Sequence, residues 1–304
     1  MPKTLALHRK KMEWSCRQTG TFLHIKPGDE IFCCLPLNKI SGIMQLARSR
    51  VWCVPITVSE PAADPMNVCP ETATITSLTP FQLTRILAST DSTAKLNALR
   101  IVLIGGGSID AQTETKLKGM SPEFYHTYGM TETYSHIALR RIGYETGYRL
   151  FPGIEVKNNA SGELLIRCEI TSGKWLETHD IVRIEGEFLY PVGRTDDIIN
   201  SGGLKLNPLE LEHEISQHTG WPLHLFFIAG IPDPVLGQKA VLFLANEFGE
   251  PDQMSDLSFL QGARKPKEIR FLPKFAYTDT GKIHRNKTLV INGILPAEPE
   301  SRQF

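Results

Sequence analysis

Chemistry-bearing residues fall into separated clusters along the chain. Gly105, Gly106 and Gly107 follow the apolar run IVLI, and backbone without Cβ atoms lets a ligand come close. About twenty residues on stands Tyr128-Gly129-Met130-Thr131-Glu132. It combines a flat ring, a hydroxyl able to donate to an anionic oxygen, and a carboxylate of the kind that holds a hard cation. Asp180 can accept from two hydroxyls at once. Arg194, the pair Asp196-Asp197 and the glycines Gly202 and Gly203 crowd into one stretch after it. Lys282 lies on a glycine-tipped loop near the C-terminus, and Arg48 and Lys39 are further cations early in the chain. Taken singly these features are weak. Three glycines can form only a turn, and they lack the GxGxxG spacing of dinucleotide folds. A loop lysine is usually solvated. For Arg48 the ordinary expectation is a surface position, and the alternative is a fixed cation that meets an acidic group on a substrate.

Alternating strand and helix signals position these residues. IFCCL reads as a strand, residues 41–50 as a helix and residues 51–56 as a second strand, the order of a βαβ unit. Thr79-Pro80 opens a helix with apolar residues at 83, 86 and 87. RIVLI is a strand that runs into the glycines. Residues 144–193 read as β-rich, with hairpin turns at 158–162 and 185–186. Residues 191–212 carry a charged turn, a short strand, a glycine turn and a helix from Pro208, with Asn207 as its N-cap. Two apolar strands follow within residues 224–247.

Composition narrows the classes. The chain has 304 residues, enough for one large domain or two. Lys plus Arg and Asp plus Glu are 33 each, so the formal charge is zero and nothing favours nucleic acid or a membrane surface. The longest apolar runs are far short of a membrane span, and the N-terminus lacks the apolar stretch of a secretory signal. The six cysteines show no CxxC pairing, which argues against zinc and for reduced thiols in a cytoplasmic protein.

In order, these clusters resemble the motifs of the adenylate-forming acyl-CoA synthetase superfamily. Residues 128–132 match Tyr-Gly-x-Thr-Glu, and residues 193–212 match GRxDDxI-x-SGG-x-K-x-x-P-x-E-x-E. Residues 278–285 match Thr-x-x-Gly-Lys-x-x-Arg, and residues 35–42 match Leu-Pro-Leu-x-His-x-x-Gly with Lys39 in place of His. Ser108 replaces the commoner proline, and Thr178-His179-Asp180 replaces Thr-Gly-Asp. Met1-Pro2-Lys3 matches only the tail of the family's phosphate loop. The reading is therefore an α/β protein: a truncated large N-terminal domain (1–195) with a β-rich subdomain, and a small mobile α+β domain (196–304).

The resemblance implies a two-step ligase using ATP, Mg²⁺ and coenzyme A. Gly106, Gly107, Tyr128, Gly129, Asp180 and Arg194 would hold the nucleotide. Glu132 would hold the metal, Thr131 the phosphate, and Lys282 would bridge carboxylate and phosphate. Asp196 would be the hinge, and Gly202 and Gly203 would line the pantetheine tunnel. The finer wording TYGMTETYSHIALR, INSGGLKLNP and LPLNKISGIMQLARS is similar to that of the 2-succinylbenzoate–CoA ligases of menaquinone biosynthesis. That implies an aromatic acid with a second carboxylate, met by Ser135 or Arg48. Another acyl- or aryl-CoA ligase, an adenylate-binding remnant without its phosphate loop, and a homodimer all stay open at this point.

Overall fold

The computed structural model describes residues 6–246, 257–278 and 282–296. Met1-Pro2-Lys3, on which the phosphate-loop expectation falls, lies outside them. The chain divides into two compact units, Met1–Val192 and Gly193–Phe304.

The first unit opens with helix α1 (Arg9–Phe22), then β1 (Ile31–Cys33), α2 (Ile40–Trp52) and β2 (Ile56–Val58). Next come β3 (Ile75–Leu78), α3 (Pro80–Leu87), α4 (Thr90–Asn97), β4 (Ile101–Ile104), α5 (Ala111–Lys118) and β5 (Glu123–Met130). Strands β6 (Ser135–Arg141), β7 (Tyr148–Leu150), β8 (Glu155–Asn158), β9 (Glu163–Arg167), β10 (Leu176–Glu185) and β11 (Phe188–Arg194), whose last two residues are counted with the second unit, complete its sheet. They form one sheet in the order β2-β1-β3-β4-β5-β6-β7-β11-β10-β9-β8. The ladders from β2 to β5 are parallel, and from β5 to β6 and β7 they are antiparallel. The β-rich part is thus an extension of the same sheet, joined through β6 and β7.

Burial explains the parallel half. Each residue of β1, β3 and β4 is buried, as expected of strands covered on both faces. Phe32, Val102, Ile104 and Phe124 pack on one face with Leu83, Ile86, Leu96 and Leu117 of α3, α4 and α5. Ile31, Ile75, Ile101, Leu103 and Tyr125 pack on the other, against Phe22 of α1 and Trp52 of α2. The helix at 80–87 begins as its sequence predicts. The Thr79 hydroxyl accepts from the Gln82 N–H and the Gln82 side chain accepts from the Thr79 N–H, a reciprocal cap.

The strand expected at 51–56 is overturned. Helix α2 runs on through Val51 and Trp52, because the Trp52 indole N–H reaches the Cys16 carbonyl of α1 at 2.7 Å. Cys53 then turns left-handed (φ 55°), and the strand begins only after Pro55.

The second unit is a smaller α+β body. It contains β12 (Ile199–Ser201), β13 (Leu204–Leu206), α6 (Pro208–Thr219), β14 (Phe226–Asp233), β15 (Gly237–Ala245), β16 (Glu268–Leu272) and α7 (Arg285–Ile291). Its sheet runs β13-β12-β15-β14, with β16 also on β15. β13 is an addition to the single strand the sequence predicts. The turn between β12 and β13 is Gly202 (φ 58°) and Gly203 (φ 82°), and two successive positive φ values are what a tight hairpin of this hand requires of its residues. Asn207 caps α6 by accepting from the Leu209 N–H. Among the described residues no helix is long and apolar enough to cross a membrane.

Candidate active site

The chain order of the parallel strands reverses between β1 and β3. In open α/β sheets, ligands bind at the carboxyl ends of the strands around such a point. The carboxyl ends here carry Leu35-Pro36-Leu37 after β1, Thr79-Pro80 after β3, the three glycines after β4, and Thr131-Glu132 after β5. Three of the sequence-nominated clusters therefore share one edge of one sheet.

Gly106 has φ 88°, in the region open to glycine. Gly105 has a packing reason as well: a Cβ there would stand 2.4 Å from Thr127 Oγ1. Tyr128 is half-buried on β5, and its hydroxyl donates to Asp180 Oδ2 of β10 at 2.7 Å across the sheet. The Asp180 N–H is held in turn by Thr178 Oγ1. His179 points outward, beside Glu163. Gly129 sits at a shift of register between β5 and β6, where a Cβ would lie 2.1 Å from the Ser135 carbonyl. Backbone approach across this bulge is reason enough for glycine at 129.

Thr131 and Glu132 lie in a short 3-10 turn, Thr131–Thr133. Thr133 is buried and pins that turn: its Oγ1 accepts from the Met130 N–H and lies within bonding distance of the Met130 and Ser135 carbonyls. Thr131 is exposed and Glu132 half-exposed. Tyr134 (φ 56°) and Ser135 (φ 131°) are then two successive non-glycine residues at positive φ. Such geometry costs about 1–3 kcal/mol each and persists only where neighbours over-determine it. The buried Tyr134 side chain provides that restraint, its hydroxyl accepting from the His8 N–H and donating to the Ala6 carbonyl.

The strained pair aims Ser135 at Arg48. Arg48 is 2% exposed, which overturns the surface reading. Its Nη2 donates to Ser135 Oγ at 3.0 Å. Among the described residues no carboxylate pairs with it, and its Nε is buried with no partner. The Thr19 hydroxyl donates to the Ser15 carbonyl, so it can only accept from His136 Nε2, 2.9 Å away. That leaves His136 Nδ1 as an acceptor toward Ser135 and Arg48. Burial, and then the Arg48 cation, hold His136 well below the usual imidazole range, so the ring is neutral. Burial also lowers Arg48, opposed by Cys16 and Cys33, but guanidinium starts too high to lose its charge. The result is a buried cation fixed by neutral groups, with donor capacity to spare. Such a cation is costly unless an anion completes it.

Sequence reasoning missed Thr19, His136, Ser41 and Gln45. Ser41, Gln45 and Arg48 recur at i, i+4 and i+7 on α2, with Gln45 bonded to Ser77 and the Ser41 hydroxyl buried without a partner among the described residues. That polar stripe on a core-facing helix was the available signal.

In the second unit, Arg194 makes a two-pronged ion pair with Asp196, at 2.9 and 3.0 Å. Both are well exposed, so this pair adds little stability. Gly202 donates its N–H to the Leu236 carbonyl. Lys282 is exposed; its carbonyl accepts from the Thr278 N–H and its own N–H donates to Thr278 Oγ1. No group of three or more potential metal ligands occurs among the described residues.

A mixed α/β sheet with a parallel half, a glycine loop at the carboxyl end of β4 and a Tyr128–Asp180 bond, followed by a small α+β unit, is the arrangement of a two-part α/β protein. The family model of AMP-binding enzymes matches residues 1–167, and the chain belongs to that family. It is 30% identical over 315 residues to a 2-succinylbenzoate–CoA ligase of Listeria monocytogenes, covering 94% of this chain and 66% of that protein. It thus spans just under two thirds of the length of the curated relatives it matches. A solved acyl-CoA synthetase (AMP-forming)/AMP-acid ligase II-like protein from Dyadobacter fermentans is 30% identical, with TM-score 0.62, over 96% of this chain and 87% of that one. The o-succinylbenzoate–CoA synthetase of Bacillus subtilis, solved with its acyl-adenylate intermediate, shares the fold. Its TM-score is 0.76 at 20% identity, over 91% of this chain and 64% of that one.

Proposed function

We propose that the protein is an AMP-forming acid–thiol ligase that activates 2-succinylbenzoate as an acyl-adenylate and passes the acyl group to coenzyme A. The observation that carries the acid's identity is Arg48: a buried guanidinium held by Ser135 that, among the described residues, faces no carboxylate and has an unpartnered Nε. An aromatic acid with two carboxylates would leave one for activation and give the other to Arg48. The relatives named for 2-succinylbenzoate act on an acid of that kind.

In the first half-reaction a substrate carboxylate oxygen attacks the α-phosphorus of ATP and pyrophosphate leaves. Tyr128 would stack on the base, Asp180 would accept from the ribose hydroxyls, and the backbone of Gly106 and Gly107 would flank the base. Arg194 would reach the ribose once free of Asp196. Thr131 would donate to the phosphate, and Lys282 would neutralise charge shared by carboxylate and phosphate. Glu132 fits Mg²⁺, which takes one or two carboxylates and completes its shell with phosphate and water. When bound, the ion neutralises phosphate charge. In the second half-reaction the thiol sulfur attacks the acyl carbon, AMP leaves, and the thiol proton passes to solvent. The hinge at Asp196 would exchange Lys282 for the Gly202–Gly203 turn, so that one site serves both steps.

Pyrophosphate release by the 304-residue chain with ATP, Mg²⁺ and 2-succinylbenzoate tests this reading. Release that depends on the acid supports it, and binding of a succinylbenzoyl-adenylate analogue without release overturns the first half-reaction for this chain. A second expected outcome concerns Lys282. Lys282→Ala should cut acid-dependent pyrophosphate release about a hundredfold, the usual loss for one preorganised charge donor. It should leave thioester formation from preformed acyl-adenylate within about threefold, since Lys282 is absent from that step. Equal loss in both steps would remove its assignment to adenylation.

A further inference from the structure

We infer that His126 is a positioning residue for the nucleotide, fixing the glycine loop after β4 through the Gly107 carbonyl. This rests on the nucleotide-binding reading above. His126 is 7% exposed on β5, two residues before Tyr128. Its Nε2 lies 2.8 Å from the Gly107 carbonyl oxygen. A carbonyl can only accept, so Nε2 carries the proton and Nδ1 is left as the acceptor. Nδ1 faces two donors, the Tyr148 hydroxyl at 2.8 Å and Arg140 Nη2 at 3.4 Å. Burial pushes the Tyr148 phenol up to about 12, so it keeps its proton through the working range.

The support continues outward. Arg140 of β6 is paired with Glu114. Glu114 lies in the first turn of α5, the helix that the glycine segment enters. The loop is therefore gripped at two places, at its own carbonyl by β5 and at its exit helix by β6. The Tyr148 ring also packs against Tyr128, centroids 5.8 Å apart, and Tyr128 bonds Asp180. Two of the proposed base and ribose contacts thus share one half-buried scaffold with the glycine loop. Three glycines have more conformational freedom to lose than any other tripeptide. A ligand that meets the loop already ordered does not bear that entropy on binding.

The test is AMP binding by calorimetry, together with steady-state pyrophosphate release, on the full chain and its variants. His126→Ala should weaken AMP by roughly tenfold, the loss expected of one buried hydrogen bond with its ordering effect. It should raise KM for ATP by a similar factor and leave kcat at saturating ATP within about twofold. His126→Gln, whose amide can donate to the same carbonyl, should restore AMP affinity to within about threefold. The ring ¹⁵N shifts of the wild-type protein should show Nε2 protonated and Nδ1 bare. Unchanged AMP affinity in a folded His126→Ala protein, or no recovery in a folded His126→Gln protein, overturns the positioning role while leaving the nucleotide reading in place. A wild-type chain that binds neither AMP nor ATP removes that reading, and this inference with it.

Discussion

Arg48→Met should make the protein more stable and, for the proposed ligase activity, nearly blind to a second carboxylate on the acid. Both effects come from one fact: the guanidinium is buried with no anionic partner among the described residues. Its hydrogen bonds to Ser135 and His136 are to neutral groups, and they do not replace the water it has lost. Methionine fills a similar volume with no charge to desolvate, and exchanging buried charges for packed apolar groups is neutral or stabilising by about 1–4 kcal/mol. Ser135 would keep a partner, because its hydroxyl still reaches His136 Nδ1. For catalysis the sign is opposite. A buried, hydrogen-bonded charge pair that loses one member costs about 2–5 kcal/mol. kcat/KM for 2-succinylbenzoate should therefore fall by at least about thirtyfold, while that for a benzoic acid lacking the second carboxylate stays within about threefold. Thermal melting and a two-substrate comparison decide it. A lower melting temperature together with equal loss on both acids would mean that Arg48 holds the core and not the substrate.

The contrast between what the sequence reveals of this site and what it hides follows from sequence separation. Tyr128, Thr131 and Glu132 are legible because five consecutive residues carry three kinds of contact. The glycine run is legible because its strand, IVLI, is unmistakable. The burial of Arg48 is hidden, because it comes from α1 and β6, over a hundred residues apart, closing over α2. The same holds for His126 and Tyr148, 22 residues apart on strands that are not adjacent in the sheet. Gly129 shows a different limit. A motif suggests ligand approach, yet the bulge against Ser135 demands glycine with or without a ligand. Boundaries failed where a tertiary bond outvoted local propensity. Val51 and Trp52 read as β-formers, and the bond from Trp52 to Cys16 keeps them helical.

The second large effect is expected in the small unit, where Arg285→Met should destabilise the fold by about 3–5 kcal/mol, the usual result of orphaning one buried charge. Glu212 of α6 is 5% exposed. Its Oε1 accepts from the Ile228 N–H at 2.7 Å, and both its oxygens accept from Arg285 Nη2 at 2.8 and 2.7 Å. One carboxylate thereby joins α6, β14 and α7, and Arg285 also lies 3.8 Å from Asp197. Burial already raises the Glu212 carboxyl above its ordinary value, against the pull of Arg285 and the Ile228 N–H. Without the cation that rise grows. A carboxyl whose folded pKa exceeds its unfolded one contributes stability below the unfolded value and loses it as pH rises through the folded value. The deficit of Arg285→Met should accordingly shrink on acidification toward pH 5 and widen toward pH 8. Adding Glu212→Gln should recover most of it, since the amide oxygen still accepts from Ile228 and no charge remains. Hydrogen exchange at the Ile228 amide reads the effect inside this unit, avoiding a global melt that two units need not share. Unchanged Ile228 protection in Arg285→Met, or a deficit that the second substitution deepens, would show that the pair is incidental to this fold.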